Sequence, residues 1–283
     1  MRIAITWLSR IWRTDALSAF GLASLFLLIF LGLFGPWLPL GDPSQIAAGP
    51  RLGPPSAQHP FGTDELGRSF LPRVVQGIRA TFLLSAIAVL ISAMIGTFLG
   101  MAAGYFGRAI DIAVARGADI LFAFPALLVG LLVAAVLGPG QASAIAVISI
   151  ATLPLLIRVV RSITLTVAGR GFVTAAEVAG ASSGRILLLH ILPNVMGAVM
   201  VQLTYALSIG MIIESALSFL GLGVQPPDAS LGSLLRQGSA YLTIAPWMVL
   251  SSGAVLSLAI MSVNLIGDAV RDALEPLKGR DLT

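Results

Sequence analysis

Charge is missing from five long stretches of this chain, and no other feature constrains the fold as strongly. No Asp, Glu, Lys, Arg or His occurs within 16–41, 80–107, 120–157, 191–213 or 237–267. A helix that crosses a bilayer needs about 20 apolar residues, so each stretch can supply one crossing. The stretch 120–157 can supply two, and Gly138-Pro139-Gly140 reads as a tight turn dividing it. The fourth stretch stays apolar past Glu214. The pattern predicts six helices, near 18–38, 80–103, 118–137, 142–164, 194–218 and 245–267. With 57% hydrophobic and 11% charged residues, the chain has too little polar surface to cover a water-soluble globule, where about 25% charged is usual. The expected fold class is therefore all-α, a polytopic membrane protein in contact with the lipid bilayer.

An even number of crossings places both termini on one side. With cytoplasmic termini, the inner segments hold Arg2, Arg10, Arg13, Arg108, Arg116, Arg158, Arg161, Arg170, Arg185, Arg271, Lys278 and Arg280. The outer segments hold only Arg51, Arg68, Arg73, Arg79 and Arg236. The positive-inside rule selects that orientation. Trp7 and Trp12, beside arginines, fit an interfacial lead-in helix on the same side. The first apolar run exceeds the 7–15 residues or so of a signal-peptide core, and Ala47-Ala48 is a weak cleavage site, so this run is expected to remain as a span. The chain divides into a lead-in and first helix (1–40), an external segment (41–79) and a five-helix region (80–283) with a cytoplasmic loop inside 165–193. The net charge of +4 and pI near 10.3 follow from arginines flanking spans and do not call for nucleic acid.

Several chemistries are excluded. A phosphate-binding loop needs lysine after glycine, and the single lysine, Lys278, follows Leu277. Any ATP that drives this chain must bind elsewhere. There is no cysteine, and His59 and His190 lie far apart, so no metal site is expected. Gly180-Ala181-Ser182-Ser183-Gly184 matches the G-x-S-x-G pattern, which has meaning only between a strand and a helix. No strand precedes it, and His190 has no acidic partner nearby, so no catalytic residue is assigned. Gly96, Gly100 and Gly104 repeat at i+4 and form a face where another backbone can approach. Glu214 lies inside an apolar run, where a carboxylate is costly. It serves either as the wall of a solute pathway, making it a translocation-pathway candidate, or as a carboxylate bonded to a neighbouring helix near the outer interface. Asp119 is expected to open the third helix, and Asp268 to sit at the inner interface.

The loop carries the most specific signal. An alanine-rich helix containing Thr174, Ala175, Ala176 and Glu177 breaks at Gly180-Ala181. A second helix starts near Ser183, carries Arg185 and His190, and returns to the membrane at Pro193. A short, small-sided helix displayed in this way can dock into a groove on a partner. The loop resembles the signature loop of bacterial binding-protein-dependent ABC importer permeases. His59-Pro60-Phe61-Gly62-Thr63-Asp64-Glu65-Leu66-Gly67-Arg68 resembles the external segment of the dipeptide, oligopeptide and nickel permeases, of the second-permease type. Ala103-Gly104-Tyr105-Phe106-Gly107, the run Leu217 to Pro227, Ala245-Pro246-Trp247, Asn264-Leu265-Ile266-Gly267-Asp268 and Arg271-Asp272-Ala273-Leu274 extend the match over about 18–276. Thr174 stands where the family usually has glutamate, Leu231 where tryptophan often precedes the glycine, and Pro72 where a polar residue is common.

The resemblance implies a type I ABC importer permease architecture, with 80–283 as the importer transmembrane domain and 165–193 as the coupling loop. It implies a second homologous permease, two ABC ATPase subunits and an external solute-binding protein as partners. ATP and Mg would be held by the ATPases, with no cofactor on this chain. Di- or oligopeptides are the cargo it suggests first, with nickel or other small solutes also open. A self-sufficient secondary carrier is the alternative, disfavoured by the lack of a visible internal repeat and the scarcity of membrane charges.

Overall fold

A computed structural model describes residues 16–274. The expected lead-in helix at Trp7 and Trp12, the first arginines, Lys278 and Arg280 lie outside the described residues. The described part is mostly helical, with an irregular segment before Phe70 that holds one isolated bridge between Thr63 and Ser69. The elements are α1 (Ala16–Phe34), α2 (Phe70–Phe106), α3 (Arg108–Ala123), α4 (Ala126–Leu137), α5 (Gln141–Ala168), α6 (Gly171–Val178), α7 (Ser183–Ile186), α8 (Leu192–Phe219), α9 (Leu231–Ser239) and α10 (Pro246–Leu274). A π turn, Leu187–Ile191, joins α7 to α8. Five helical runs are long and apolar enough to cross a membrane, and the bent pair α3–α4 makes a sixth if it counts as one crossing.

Two boundaries differ from the sequence expectation. Helix α2 begins at Phe70, so the last ten residues of the expected external segment 41–79 are helical and the segment is irregular only to Ser69. Arg73 is buried in the first turns of α2, and its charge meets Asp64 instead of ending the helix. The third span, expected as continuous over 118–137, is broken by a 90° bend between α3 and α4. The cause is Phe124-Pro125: proline disfavours the helical conformation in the preceding residue, and Phe124 is extended, with φ −91° and ψ 127°. Helix α4 alone, at about 18 Å, is too short for the roughly 30 Å hydrocarbon core. Asp119 consequently lies near the end of α3, where it pairs with Arg158 of α5 at 2.9 Å. The acidic residue in the first turn of α3 is Asp111, which forms a bidentate pair with Arg161 of α5, the Nη2–Oδ2 bond at 2.7 Å.

The spine of the fold is the parallel pair α2–α5. Gly96, Gly100 and Gly104 meet Leu156, Val160 and Thr164 in turn, a constant offset of 60 residues. A Cβ added to each glycine would stand 2.8, 2.8 and 2.6 Å from the Cβ of its partner. Toward the N-terminal ends of the two helices the same register continues through hydroxyls: Ser92 and Thr152 bond at 2.7 Å, and Ser149 donates to the Ala88 carbonyl at 3.1 Å. Small side chains every fourth residue let the two backbones approach, so dispersion contacts and hydroxyl bonds replace a hydrophobic driving force that lipid cannot supply. Helix α1 lies against α2 and α10. The largest apolar cluster joins α1, α2, α8, α9 and α10 through Leu28, Phe70, Ile78, Met211, Leu234 and Met248.

Candidate functional site

The loop between α5 and α8 emerges from the same end of the bundle as the C-terminus of α2. Helix α6 is fastened there by Val173, fully buried, in a cluster with Met101, Val160, Val167, Ile186, Ile191 and Val195. Its C-terminus is closed by two reversed bonds: the Ala181 amide donates to the Ala176 carbonyl (3.0 Å) and the Gly180 amide to that of Glu177 (2.9 Å). This is the Schellman arrangement, which requires a left-handed residue, and Gly180 supplies it at φ +80°. The accompanying apolar contact is present too, since Ala176 and Ala181 both pack on the same cluster.

The predicted loop residues therefore fall into two groups. Ala176 and Ala181 are half-buried and turned toward the bundle, while Thr174, Ala175, Glu177, Gly180 and Arg185 are exposed. His190 is half-buried in the π turn, with its ring 6.3 Å from that of Phe172, and its carbonyl accepts from Asn194 Nδ2 at 2.7 Å. Pro193 is exposed in the first turn of α8. Glu177 is tied to the end of α2 by the Tyr105 hydroxyl, which donates to Oε1 at 3.0 Å. One residue escaped the sequence reading. Val178, one turn after Thr174, is 85% exposed although apolar. With Thr174 and Ala175 it forms an uncovered face on α6. The signal was the four-residue spacing from Thr174, hidden inside an alanine-rich run.

Glu214 occupies a different place from a pathway wall. Its side chain is fully buried within this subunit, with 0% exposure. It accepts from the Thr81 hydroxyl at 2.8 Å and from the Ser218 hydroxyl at 2.6 Å. Thr81 in turn accepts from the Leu231 amide at the start of α9 (3.2 Å), and Ser218 accepts from the Val224 amide (3.1 Å). The carboxylate thus knits α2, α8 and the segment leading into α9. The reason is geometric: α9 folds back over the C-terminal half of α8 so closely that a Cβ at Gly232 would lie 2.2 Å from the Ser215 carbonyl oxygen. Of the two readings the sequence left open, these bonds and the full burial fit the carboxylate bonded to a neighbouring helix.

The segment 41–69 at the opposite end is organised by Asp64, also fully buried. It accepts from the Leu66 and Arg68 amides at 2.9 Å each, from Arg68 Nε at 2.7 Å and from Arg73 Nη1 at 3.1 Å. Arg73 continues to Gln237 of α9 at 3.2 Å, and the Gln237 amide donates to Glu65. Thus the Thr63-Asp64-Glu65 stretch that carried the resemblance is a fastening between the segment 41–69, α2 and α9.

Comparison with known proteins agrees with this architecture. The family described as "Binding-protein-dependent transport system inner membrane component" matches residues 96–280. A dipeptide transport system permease protein of Alkalihalophilus pseudofirmus is 37% identical over 93% of this chain and 87% of its own length. A di/tripeptide transport system permease protein of Pseudomonas aeruginosa is 38% identical, covering 90% and 86%. A glutathione transport system permease protein of Escherichia coli is 39% identical, covering 91% and 86%. Among solved structures, a chain of the inward-facing MetNI methionine ABC transporter superposes with a TM-score of 0.60 over 73% of this chain and 98% of that one, at 18% identity. That likeness is one of fold, the type I ABC importer permease architecture. With the family matched over most of its length and relatives above 30% identity along nearly all of it, this chain belongs to the inner-membrane permease components of binding-protein-dependent ABC transport systems.

Proposed function

We propose that this permease forms half of the pathway of an ATP-driven importer for di- or oligopeptides, and that α6 and its flanks within 165–193 are its contact with an ATPase. The observation that carries the coupling role is the uncovered face of α6. An apolar side chain such as Val178, left 85% exposed beside Thr174 and Ala175 on a rigidly capped helix, suits insertion into a protein groove. Where relatives of the family commonly have glutamate, Thr174 offers only a hydroxyl, so docking here rests on shape and Val178 more than on charge. The peptide assignment is supported by the names of the dipeptide and di/tripeptide relatives.

In this reading both termini and α6 face the cytoplasm. A second, homologous permease completes the pathway, two ATPase subunits hold ATP and Mg, and an external binding protein delivers solute to the other end. Domains follow the same scheme: 1–40 and 41–69 flank a transmembrane unit that runs from α2 onward. Closure of the ATPases on ATP pushes α6, and the spine α2–α5 passes the movement to the outer end. Alternating access then follows from two packings of one bundle, each favoured by a different ligand state.

The test is purification of the tagged chain in mild detergent with identification of what accompanies it. Recovery of a second permease and ATPase subunits is expected, with dipeptide uptake by the reconstituted complex requiring ATP. A chain recovered alone that moves solute into liposomes without ATP would sink the proposal.

A further inference from the structure

At the end of the bundle opposite α6, Arg79 and Arg236 have side chains without a partner among the described residues. Arg79 on α2 is exposed and makes no hydrogen bond or ion pair among the described residues. It borders two adjoining cavities, of about 530 Å³ and about 250 Å³. The larger runs between the end of α1 and α2 and includes Asp42, whose carboxylate is engaged by Ser44. The smaller is lined by Gln76, Arg79, Leu83, Gln141 and Asp228.

Asp228 is held in an unusual way. One carboxylate oxygen accepts from the Gln76 amide and the other from the Gln141 amide, both at 3.3 Å. Asp228 is exposed, and two neutral amides from two different helices orient its carboxylate without a cation pairing with it among the described residues. Arg79 lines the same cavity and yet forms no ion pair with it. The cavity therefore presents one fixed anion and one unpaired cation, with apolar Leu83 beside them. Such a pair matches a zwitterion of small size: a guanidinium takes a carboxylate in a two-pronged bond, and a carboxylate held by amides takes an ammonium.

We infer that the Arg79–Asp228 cavity is a binding site for the two charged ends of a short peptide, the α-carboxylate on Arg79 and the α-ammonium on Asp228. This rests on the importer reading and adds to it a place on this chain where cargo is recognised at the end that receives it. The position fits, because Gln76 and Arg79 belong to the same helix whose other end holds the α6 loop through Tyr105. A phosphatidylethanolamine headgroup has the same pair of charges, so the test must separate the two sources.

The experiment uses the assembled permease–ATPase complex in nanodiscs of phosphatidylcholine and phosphatidylglycerol, without the external binding protein. Binding of alanyl-phenylalanine is measured by saturation-transfer NMR and compared with its N-acetylated and C-amidated forms. Each blocked form is expected to bind at least about tenfold more weakly, the loss of one charged bond. Arg79→Gln should weaken the free dipeptide by a similar factor and leave the C-amide no worse. Asp228→Asn should do the same for the free dipeptide and leave the N-acetyl form no worse. Recovery of the complex with its ATPases shows that a variant is assembled, and the blocked peptides test the idea on the unaltered protein. Equal binding of all three peptides, or dipeptide binding indifferent to both substitutions, overturns the site. So does a complex that hydrolyses ATP but binds no dipeptide until millimolar concentration, or one in which added phosphatidylethanolamine occupies the cavity and dipeptide does not displace it; the importer reading survives these results. A chain that purifies without any ATPase fails the importer reading itself, and the inference falls with it.

Discussion

The two ends of the bundle are held by different forces. At one end the segment 41–69 is locked by a buried carboxylate, Asp64, that takes four bonds and reaches α9 through Arg73 and Gln237. At the other, α6 is held by one fully buried valine, a glycine-dependent cap and one tyrosine hydroxyl. Buried charge fixes geometry because either partner left alone is expensive. Apolar contact with a small cap fixes a helix while letting it shift as a unit. Under the proposed importer function, the difference separates an end that keeps its shape for an arriving solute from an end that is pushed.

Removing the lock should have the largest effect. Asp64→Ala strands Arg73 in a site where it is nearly buried, and loss of one partner of a buried pair costs about 3–5 kcal/mol. Most of the protein is expected to be lost from the detergent extract, and what remains should show a strongly lowered thermal midpoint. A midpoint within a degree or two of the parent would mean that the end opposite α6 is not held by Asp64. The spine between the two ends should come next. Gly100→Leu forces a side chain into the space filled by Val160, where a Cβ alone would sit 2.8 Å from that residue's Cβ. Overpacking of this kind costs about 1–3 kcal/mol. Thermal denaturation should show a smaller loss than Asp64→Ala, and Gly117→Leu, where nothing lies within 4 Å of the added Cβ, should show little.

How far such contrasts could be read from the sequence depended on the kind of force involved. The crossings were legible because a charge-free run in lipid has few alternatives: the backbone must satisfy itself as a helix. Gly96, Gly100 and Gly104 were legible as a face, but their partners on α5 were not, since a 60-residue register leaves no local mark. The charges at Arg73 and Arg79 misled the boundary of α2, because a charge looks like the end of a span until the helix around it is known. The break at Phe124-Pro125 rested on a single dipeptide inside a long apolar run, and it was passed over. For Glu214 the sequence left two readings, and only the folding back of α9 over α8 decided between them. Val178 was invisible for the opposite reason: exposure is a property of the assembled bundle, and the alanines around it conceal which face is covered.

The α6 end can be loosened without disturbing the locked one. Gly180→Glu places a side chain where φ is +80° and nothing lies within 4 Å, so no clash arises, but the left-handed conformation costs about 1–2 kcal/mol. The last turn of α6 should unwind locally, with extraction and thermal midpoint nearly unchanged. In the reconstituted complex, ATP hydrolysis should continue while uptake per ATP falls severalfold. Gly180→Asn, which tolerates this conformation, should retain most of the coupling. Normal uptake by Gly180→Glu would count against α6 as the coupling element.

The smallest change isolates the only side-chain bond that ties Glu177 to α2 among the described residues. Tyr105→Phe deletes the hydroxyl that donates to Glu177 and keeps the ring on the end of the spine. The bond is partly exposed, so its loss should cost about 0.5–1.5 kcal/mol at most, too little to alter yield. If α6 moves as a unit with α2, the hydroxyl transmits motion, and its removal should lower uptake per ATP by a modest factor while leaving ATPase recovery in the purified complex unchanged. Glu177→Gln, whose amide oxygen can still accept from the hydroxyl, should behave like the parent, and the double variant should be no worse than Tyr105→Phe alone. Equal losses from Glu177→Gln and Tyr105→Phe that add in the double variant would mean that the two residues act separately, and that the loop is driven through Val173 and its apolar cluster alone.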